Sequence, residues 1–328
     1  MAGKKGLFLG VDLGGTNIQA AAVRKGKILI SKKTSTQANK GAEVVIDRIE
    51  KVLRQVMDKV DKSPGDFKAL CIGAPGAVNL ETGMVNEAPN LDWINVPLGK
   101  ELEARLDLPV FVDNDVNVGT AGEHAYGAGR GAQHMVGIFV GTGIGGGVII
   151  NDQLHYGGRG AAGEIGHMVI VPNGRLCGCG KKGCLEAYAS KTGIAASIRE
   201  QISLGRDSYL KKALKRKGKP PLSSSLIEEA LIAGDPVTIE AIKDAQFYLG
   251  LQTANLVNTL DPNIIVFGGG LVEQLGKDFL KPIKKTAKKY YLQQKHTNRI
   301  QIVPAALGDD AGTIGAAVVA QLRHQSNQ

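Results

Sequence analysis

No apolar run in this 328-residue sequence reaches the roughly 18 residues that a membrane-spanning helix needs, and the opening MAGKKG carries no apolar signal core. A cytoplasmic chain with no membrane partner is therefore expected. Cysteine is scarce, at four residues, and without a secretory leader the compartment reads as reducing, which favours metal ligation over disulfides. Several phosphate-binding signatures are missing as well. There is no GxxxxGK[ST] lysine loop, and the HRD, DFG and VAIK sequences of protein kinases are absent. Two lysine-rich stretches, KKALKRKGK at 211–219 and KPIKKTAKK at 281–289, supply much of the net charge of +9, yet neither interleaves aromatics and no nucleic-acid motif accompanies them. They read as solvated faces and a loop, with a polyanion partner or donor as the alternative. No nucleic-acid partner is expected.

What is present suffices for a sizeable core. The chain is 43% hydrophobic and 22% charged, a balance expected to fold as two domains. Its 44 glycines gather in short clusters with no collagen-like period, a sign of tight turns where backbone approaches a ligand.

The most informative stretch runs from Glu164 to Glu186, EIGHMVIVPNGRLCGCGKKGCLE. His167, Cys177, Cys179 and Cys184 make a complete tetrahedral zinc set, and four protein ligands leave no open position for a reactive water. Disulfides or free thiols are the alternative. Cys71 stands alone in an apolar run and reads as a small core hydrophobe.

Strands alternate with helices along the chain, which predicts an α/β fold. LFLGVD at 7–12, IQAAAV at 18–23 and ILI at 28–30 read as strand, glycine turn, strand, turn, strand. Val45, Ile49, Val52, Leu53, Val56 and Val60 recur at helical spacing until Ser63-Pro64-Gly65. Buried strands follow at 69–78, running into a glycine-proline loop, at 109–115, 135–140, 264–270, ending on three glycines, and 301–308, and helices are predicted over 187–204, from the Asp235-Pro236 cap to about 259, and over 311–323. Shifting the chain by 127 residues lays Gly14 on Gly141 and Val23 on Ile150 in the same order of elements. That repeat predicts duplicated halves facing a shared cleft.

GTGIGGGV at 141–148 satisfies GxGxxG, but a dinucleotide-binding loop must open a helix and here a β run follows. Two glycine hairpins remain, Gly14-Gly15-Thr16 and Gly141-Thr142-Gly143, each able to aim backbone N–H groups at an anion. Asp12 supplies a carboxylate where a hydrated Mg²⁺ would sit. Gly268-Gly269-Gly270, after a strand, could let an adenosine lie flat. Together the clusters point to nucleotide, and tight structural turns are the alternative for each one.

DLGGTN at 12–17, VDNDVN at 112–117, the 141–147 loop, EIGH at 164–167 and CGCGKKGCLE at 177–186 together resemble the ROK family of sugar kinases and repressors. The resemblance runs from about residue 7 to about 320. It implies a ribonuclease-H-like, actin-like fold of two domains around a cleft: residues 1–116 with 311–328, and a larger domain of 117–310 carrying the zinc cluster and nucleotide contacts. It implies Asp115 as general base, with Asp113 as the alternative. Sugar contacts fall on Gly76, Asn90, Asn114, Asp115, Glu164, His167 and Glu186. Donor contacts fall on Asp12, Gly14, Gly15, Thr16, Asn17, Gly141, Thr142, Gly143 and Gly268 to Gly270. ATP with Mg²⁺, a structural Zn²⁺ and a homo-oligomer, dimer or tetramer, are implied too. APNLDWINVPLG at 88–99 is most similar to the family's glucokinases, so phosphorylation of glucose at the 6-hydroxyl is expected. Asn17 departs from the lysine that many relatives carry after Gly-Gly-Thr. The alternatives are a kinase for another hexose or N-acetylhexosamine, a polyphosphate-using kinase, and a non-catalytic sugar-sensing member. A repressor of the family carries a winged-helix module ahead of the sugar-binding part, and a first strand at residue 7 is expected to leave no room for one.

Overall fold

A computed structural model describes residues 6–214, 222–292 and 300–326. The chain divides into two compact units, one of Met1–Gly131, Val148–Ala162 and Asp309–Gln328, the other of Ala132–Gly147 and Gly163–Gly308.

The first unit follows the chain through β1 (Phe8–Leu13), β2 (Asn17–Arg24), β3 (Lys27–Ser35), α1 (Ala42–Lys59), β4 (Leu70–Ala74), β5 (Ala77–Asn79), β6 (Met84–Ala88), β7 (Trp93–Val96), α2 (Leu98–Leu106), β8 (Val110–Asn114) and α3 (Asp115–Tyr126). Its main sheet has the order β3-β2-β1-β4-β8, with β1/β2/β3 antiparallel and β1, β4 and β8 parallel. The sequence sets this order. FLGVDL and LCIGA are apolar on both faces and take the centre, while KILISKKTS alternates and puts lysines on the exposed edge. On one face, α1 turns Val45, Ile49, Val52, Leu53 and Val56 into the core at helical spacing. Pro64 and the reciprocal Ser63–Asp66 cap then start a new turn and end the run. Leu53→Ala would cost about 2–5 kcal/mol, because the side chain is wholly buried.

The second unit carries β9 (Met135–Val140), most of the β10 (Ile144–Ile150) run, α4 (Glu186–Ala189), α5 (Lys191–Ser203), α6 (Lys211–Leu214), α7 (Ser224–Ile232), α8 (Pro236–Leu260), β12 (Ile264–Gly268), α9 (Gly270–Tyr290) and β13 (Gln301–Pro304). With the short β11 (Gln153–Leu154) the sheet order is β11-β10-β9-β12-β13. A hairpin on one side of two parallel strands repeats the first sheet's connectivity, and the two glycine turns occupy matching hairpin tips. The 127-residue repeat is thus a repeat of topology.

The last helix, α10 (Ala311–Ser326), belongs to the first unit and covers its second face together with α3. The expected boundary at residue 116 is corrected here. Helix α3 stays with the first unit because it packs along α10, so closely that a Cβ at Gly315 would collide with the Val118 carbonyl. Residues 148–162 also return to that unit.

Other expectations shift locally. The helix predicted over 187–204 breaks at Ser190, which caps α5 by accepting from the Gly193 N–H at 3.0 Å. Asp235 precedes α8 as expected but makes no cap bond; its carboxylate accepts the Ser208 and Thr238 hydroxyls instead. The 281–289 stretch lies on α9, with Ile283 and Ala287 buried, and its lysines form no loop. Of the 211–219 stretch, residues 215–219 lie outside the described residues. Cys71 is fully buried in β4, as expected of a core thiol.

Candidate active site

The VDND stretch ends β8 and opens α3. Asn114 is the N-cap: its Oδ1 accepts the N–H of Val116 at 2.9 Å and of Asn117 at 3.2 Å, and its Nδ2 donates to the Gly76 carbonyl at 3.2 Å. Asp115 follows as the first residue of α3, half-buried, with Oδ1 accepting from Val116 N–H at 2.9 Å. Asp113 is different. It is 0% exposed, and its carboxylate accepts the Asn114 N–H at 2.7 Å, Asn117 Nδ2 at 3.2 Å and the Tyr156 hydroxyl at 2.7 Å. Burial pushes its pKa up, and these donors work against the shift. The alternative base of this pair is therefore spoken for by structural hydrogen bonds.

Asp12 is the penultimate residue of β1, where the start of α10 comes close, with a Cβ at Gly312 placed 2.7 Å from its Cγ. Burial pushes Asp12 up to about 6, with Lys33 opposing and Asp309 adding to the rise. A half-buried carboxylate beside a second acid, with few donors, is a donor set that fits a hard cation completed by phosphate oxygens. The adjoining turn is anchored by the Gly14 N–H to the Asn17 carbonyl at 2.9 Å and by the buried Thr36 hydroxyl to the Gly14 carbonyl at 2.6 Å. Gly15, Thr16 and Asn17 are exposed, and Gly15 lies beside Asn90, whose carbonyl sits 3.2 Å from where a Cβ would stand. Gly14 spends its own N–H on the turn, so any anion contact from this hairpin falls to its other backbone groups.

In the second unit the matching turn does the same, the Gly141 N–H donating to Gly143 at 2.9 Å. It is tied to the start of α5 through Lys191 N–H to Gly141 at 3.0 Å and the Thr192 hydroxyl to Thr142 at 2.8 Å. Glu186 reaches this turn and accepts the Ile144 N–H at 2.9 Å; any side chain at 143 would strike its carboxylate. Gly268 ends β12, Gly269 takes φ 88° against the Val140 backbone, and Gly270 opens α9, exposed. Packing alone accounts for the first two.

The cluster expected from the sequence is assembled. One ligand atom each from His167, Cys177, Cys179 and Cys184 lies within 4.8 Å of the others. Cys179 and Cys184 Sγ are 3.7 Å apart, and Cys177 Sγ is 3.7 Å from His167 Nδ1. A tetrahedron with metal–sulfur bonds of about 2.3 Å has edges of about 3.7–3.8 Å, so these two separations match and the donor set is compatible with zinc. Backbone bonds build the holder: Cys177 N–H to Lys181 at 2.8 Å, Gly180 N–H to Cys177 at 3.0 Å and Ile170 N–H to Gly183 at 2.8 Å. Burial pushes the Cys177 thiol up to about 12, so a bound cation is what would hold it as thiolate. Glu164 is exposed, and its carbonyl accepts the His167 N–H at 3.0 Å. Glu186 Oε1 lies 3.7 Å from Cys177 Sγ, which joins the cluster to the 141–143 turn.

A model described as the ROK family matches residues 8–323. The chain belongs to the ROK family. The glucokinase of Halalkalibacterium halodurans is 37% identical over 321 residues, covering 97% of this chain and 96% of that protein. A solved ROK family glucokinase from Streptomyces griseus, in complex with glucose and AMPPNP, superposes with a TM-score of 0.82 at 35% identity, covering 97% of this chain and all of that one. A putative xylose repressor of Caldicellulosiruptor is 31% identical, covering 96% of this chain and 78% of that protein. The two like-ordered sheets with flanking helices are the fold of the sugar kinases and actin-like ATPases. The resemblance read from the motifs is borne out at the level of family and fold.

Sequence reasoning missed four residues of this ROK site. Tyr156 and Asn117 hold Asp113, Thr36 holds the first glycine turn, and Gly312 makes room for Asp12. Asn117 lay within a quoted motif at the i+4 spacing that returns to Asp113. No local pattern marks the other three.

Proposed function

We propose that this protein is a glucokinase that transfers the terminal phosphoryl group of ATP, as its Mg²⁺ complex, to the 6-hydroxyl of glucose in the cytoplasm, as a homo-oligomer. The observation that carries the reading is the chain-long likeness to glucokinases, 37% identical with almost complete coverage of both chains. Asp115 accepts the hydroxyl proton, a role its partial exposure allows and the burial of Asp113 denies to its neighbour. Asn90, Asn114, Gly76, Glu164, His167 and Glu186 bind sugar hydroxyls and fix the acceptor. Asp12 and the glycine turns at 14–17 and 141–143 hold the donor, with Gly268 to Gly270 beside the nucleoside. Magnesium, when bound, neutralises charge on the phosphates, and positioning supplies most of the rest. Zinc at His167, Cys177, Cys179 and Cys184 orders the stretch that carries His167.

The test is a coupled assay with a panel of hexoses and N-acetylhexosamines against ATP and polyphosphate. Glucose with ATP is expected to give the highest kcat/KM. A higher value with another sugar moves the substrate assignment, and a higher value with polyphosphate removes ATP as donor. The likeness to a putative xylose repressor supports a second reading, a sugar-responsive regulator, for which sugar would bind without turnover.

A further inference from the structure

We infer that Tyr156 is a positioning residue for phosphoryl transfer: through Asp113 it fixes the first turn of α3, and with it the carboxylate of Asp115. The inference rests on Asp115 being the base of a sugar kinase. Tyr156 lies two residues after β11, within residues 148–162, the stretch that returns to the first unit. Its hydroxyl donates to Asp113 Oδ2 at 2.7 Å, while Asp113 Oδ1 takes the Asn114 N–H at 2.7 Å and Asn117 Nδ2 at 3.2 Å. Those two asparagines bracket Asp115. One caps the helix that Asp115 begins, and the other sits on the same turn of α3.

A buried carboxylate with three donors has one stable orientation, because losing a donor leaves an acceptor unpaired in a dry site. Among the described hydrogen bonds, Tyr156 supplies the one donor that does not come from the VDNDVN segment itself, so it ties the segment to a separate stretch of chain. Burial lifts the phenol further above its ordinary value and the Asp113 charge adds to it, so the hydroxyl remains a donor. Arg323, stacked on Phe111, and the Cys71 thiol of β4 are the other ionisable groups felt by Asp113 or Tyr156. Neither donates to the carboxylate among the described hydrogen bonds. Without the phenol, Asp113 can turn, Asn114 and Asn117 lose their fixed acceptor, and Asp115 samples orientations away from the hydroxyl it must deprotonate.

Steady-state kinetics with glucose and MgATP on the parent, Tyr156→Phe, Asp113→Asn and the double variant test this, with circular dichroism establishing the folded fraction. Tyr156→Phe is expected to lose kcat on the order of ten- to hundredfold, as small misplacements of a reacting group do, with KM for nucleotide unchanged. The double variant should fall no further than Asp113→Asn alone, because the phenol acts through that carboxylate. A structural tether would lower the melting temperature and leave kcat per folded molecule at the parent value; that result, or additive losses, overturns the inference. Should Tyr156→Phe fail to fold, Asn117→Ser unloads the other carboxylate oxygen, and an unchanged kcat there overturns it equally. Asp115→Asn, run alongside, separates the two claims. If it turns over normally, the base reading fails and this inference falls with it. If it is inactive while Tyr156→Phe is normal, the inference alone fails.

Discussion

Two aspartates two positions apart have been given opposite environments by one strand-to-helix junction. Asp113 points into the core and accepts three hydrogen bonds, while Asp115 begins the helix and stays half-buried. For Asp115→Asn we expect glucose affinity near the parent's, since an amide still hydrogen-bonds, and a fall in kcat of roughly 10²–10⁴. Retained turnover in a folded variant would remove Asp115 as base. Asp113 makes a prediction about stability. Its folded pKa is raised, so the folded state holds its proton more tightly than the unfolded chain does. That contribution is fully present below the ordinary carboxylate value of about 4 and is lost as pH rises through the folded value. Asp113→Asn should therefore lower stability at every pH while flattening its decline over that window, read from melting temperatures across a pH series. Parallel curves for parent and variant would show that burial does not set this titration.

At the scale of elements, the proposed zinc holder of residues 168–185 is nearly all irregular backbone, so its order should depend on the proposed ion. His167 turns Nδ1 to the cysteines, which leaves Nε2 as the outward nitrogen and, on metal binding, as a fixed donor. Cys179→Ser or chelation is expected to raise KM for glucose and loosen this segment, while nucleotide affinity survives. Zinc content with paired glucose and nucleotide titrations measures it, and unchanged glucose affinity in the metal-free protein would make the cluster a remote staple. This segment was legible because ligand chemistry fixes spacing: three thiols and an imidazole admit few arrangements. Apolar periodicity made α1 and the central strands legible for the same reason, since burial on known faces leaves one solution. The ribbon β5-β6-β7 was not legible. Its strands are three to five residues long and half-exposed, too short to show a period. Nor was the break at Ser190, where a hydroxyl caps a new helix in a stretch whose composition favours a continuous one. Tyr156 reaches Asp113 from 43 residues away, and no window of sequence holds both.

The whole molecule is built from two units on one connectivity, but the chain does not divide them equally. Every residue of the second unit's apolar core lies between Val136 and Ile302, so that core and the His/Cys cluster are contained in residues 132–308. The first unit borrows its last helix from the end of the chain. Ile314, Ala316, Ala317, Val319 and Ala320 of α10 are buried there, with the cluster of Val23, Cys71 and Val118 on the opposing face. Burying Ile314 and Val319 alone is worth about 3–6 kcal/mol, against a typical domain stability of about 5–15 kcal/mol, before the loss of cover over the sheet is counted. Removing residues 309–328 should therefore unfold the first unit and leave the second able to hold its metal. The sequence contains one tryptophan, Trp93, and it is 2% exposed in the first unit, so its emission reports that unit alone. The truncated protein is expected to show the red-shifted emission of an exposed indole, no sugar phosphorylation, one zinc-equivalent as in the parent, and a surviving cooperative melt. Native Trp93 emission after truncation would mean that α10 is dispensable to the first core. Loss of zinc with the tryptophan signal would mean that the two cores fold as one.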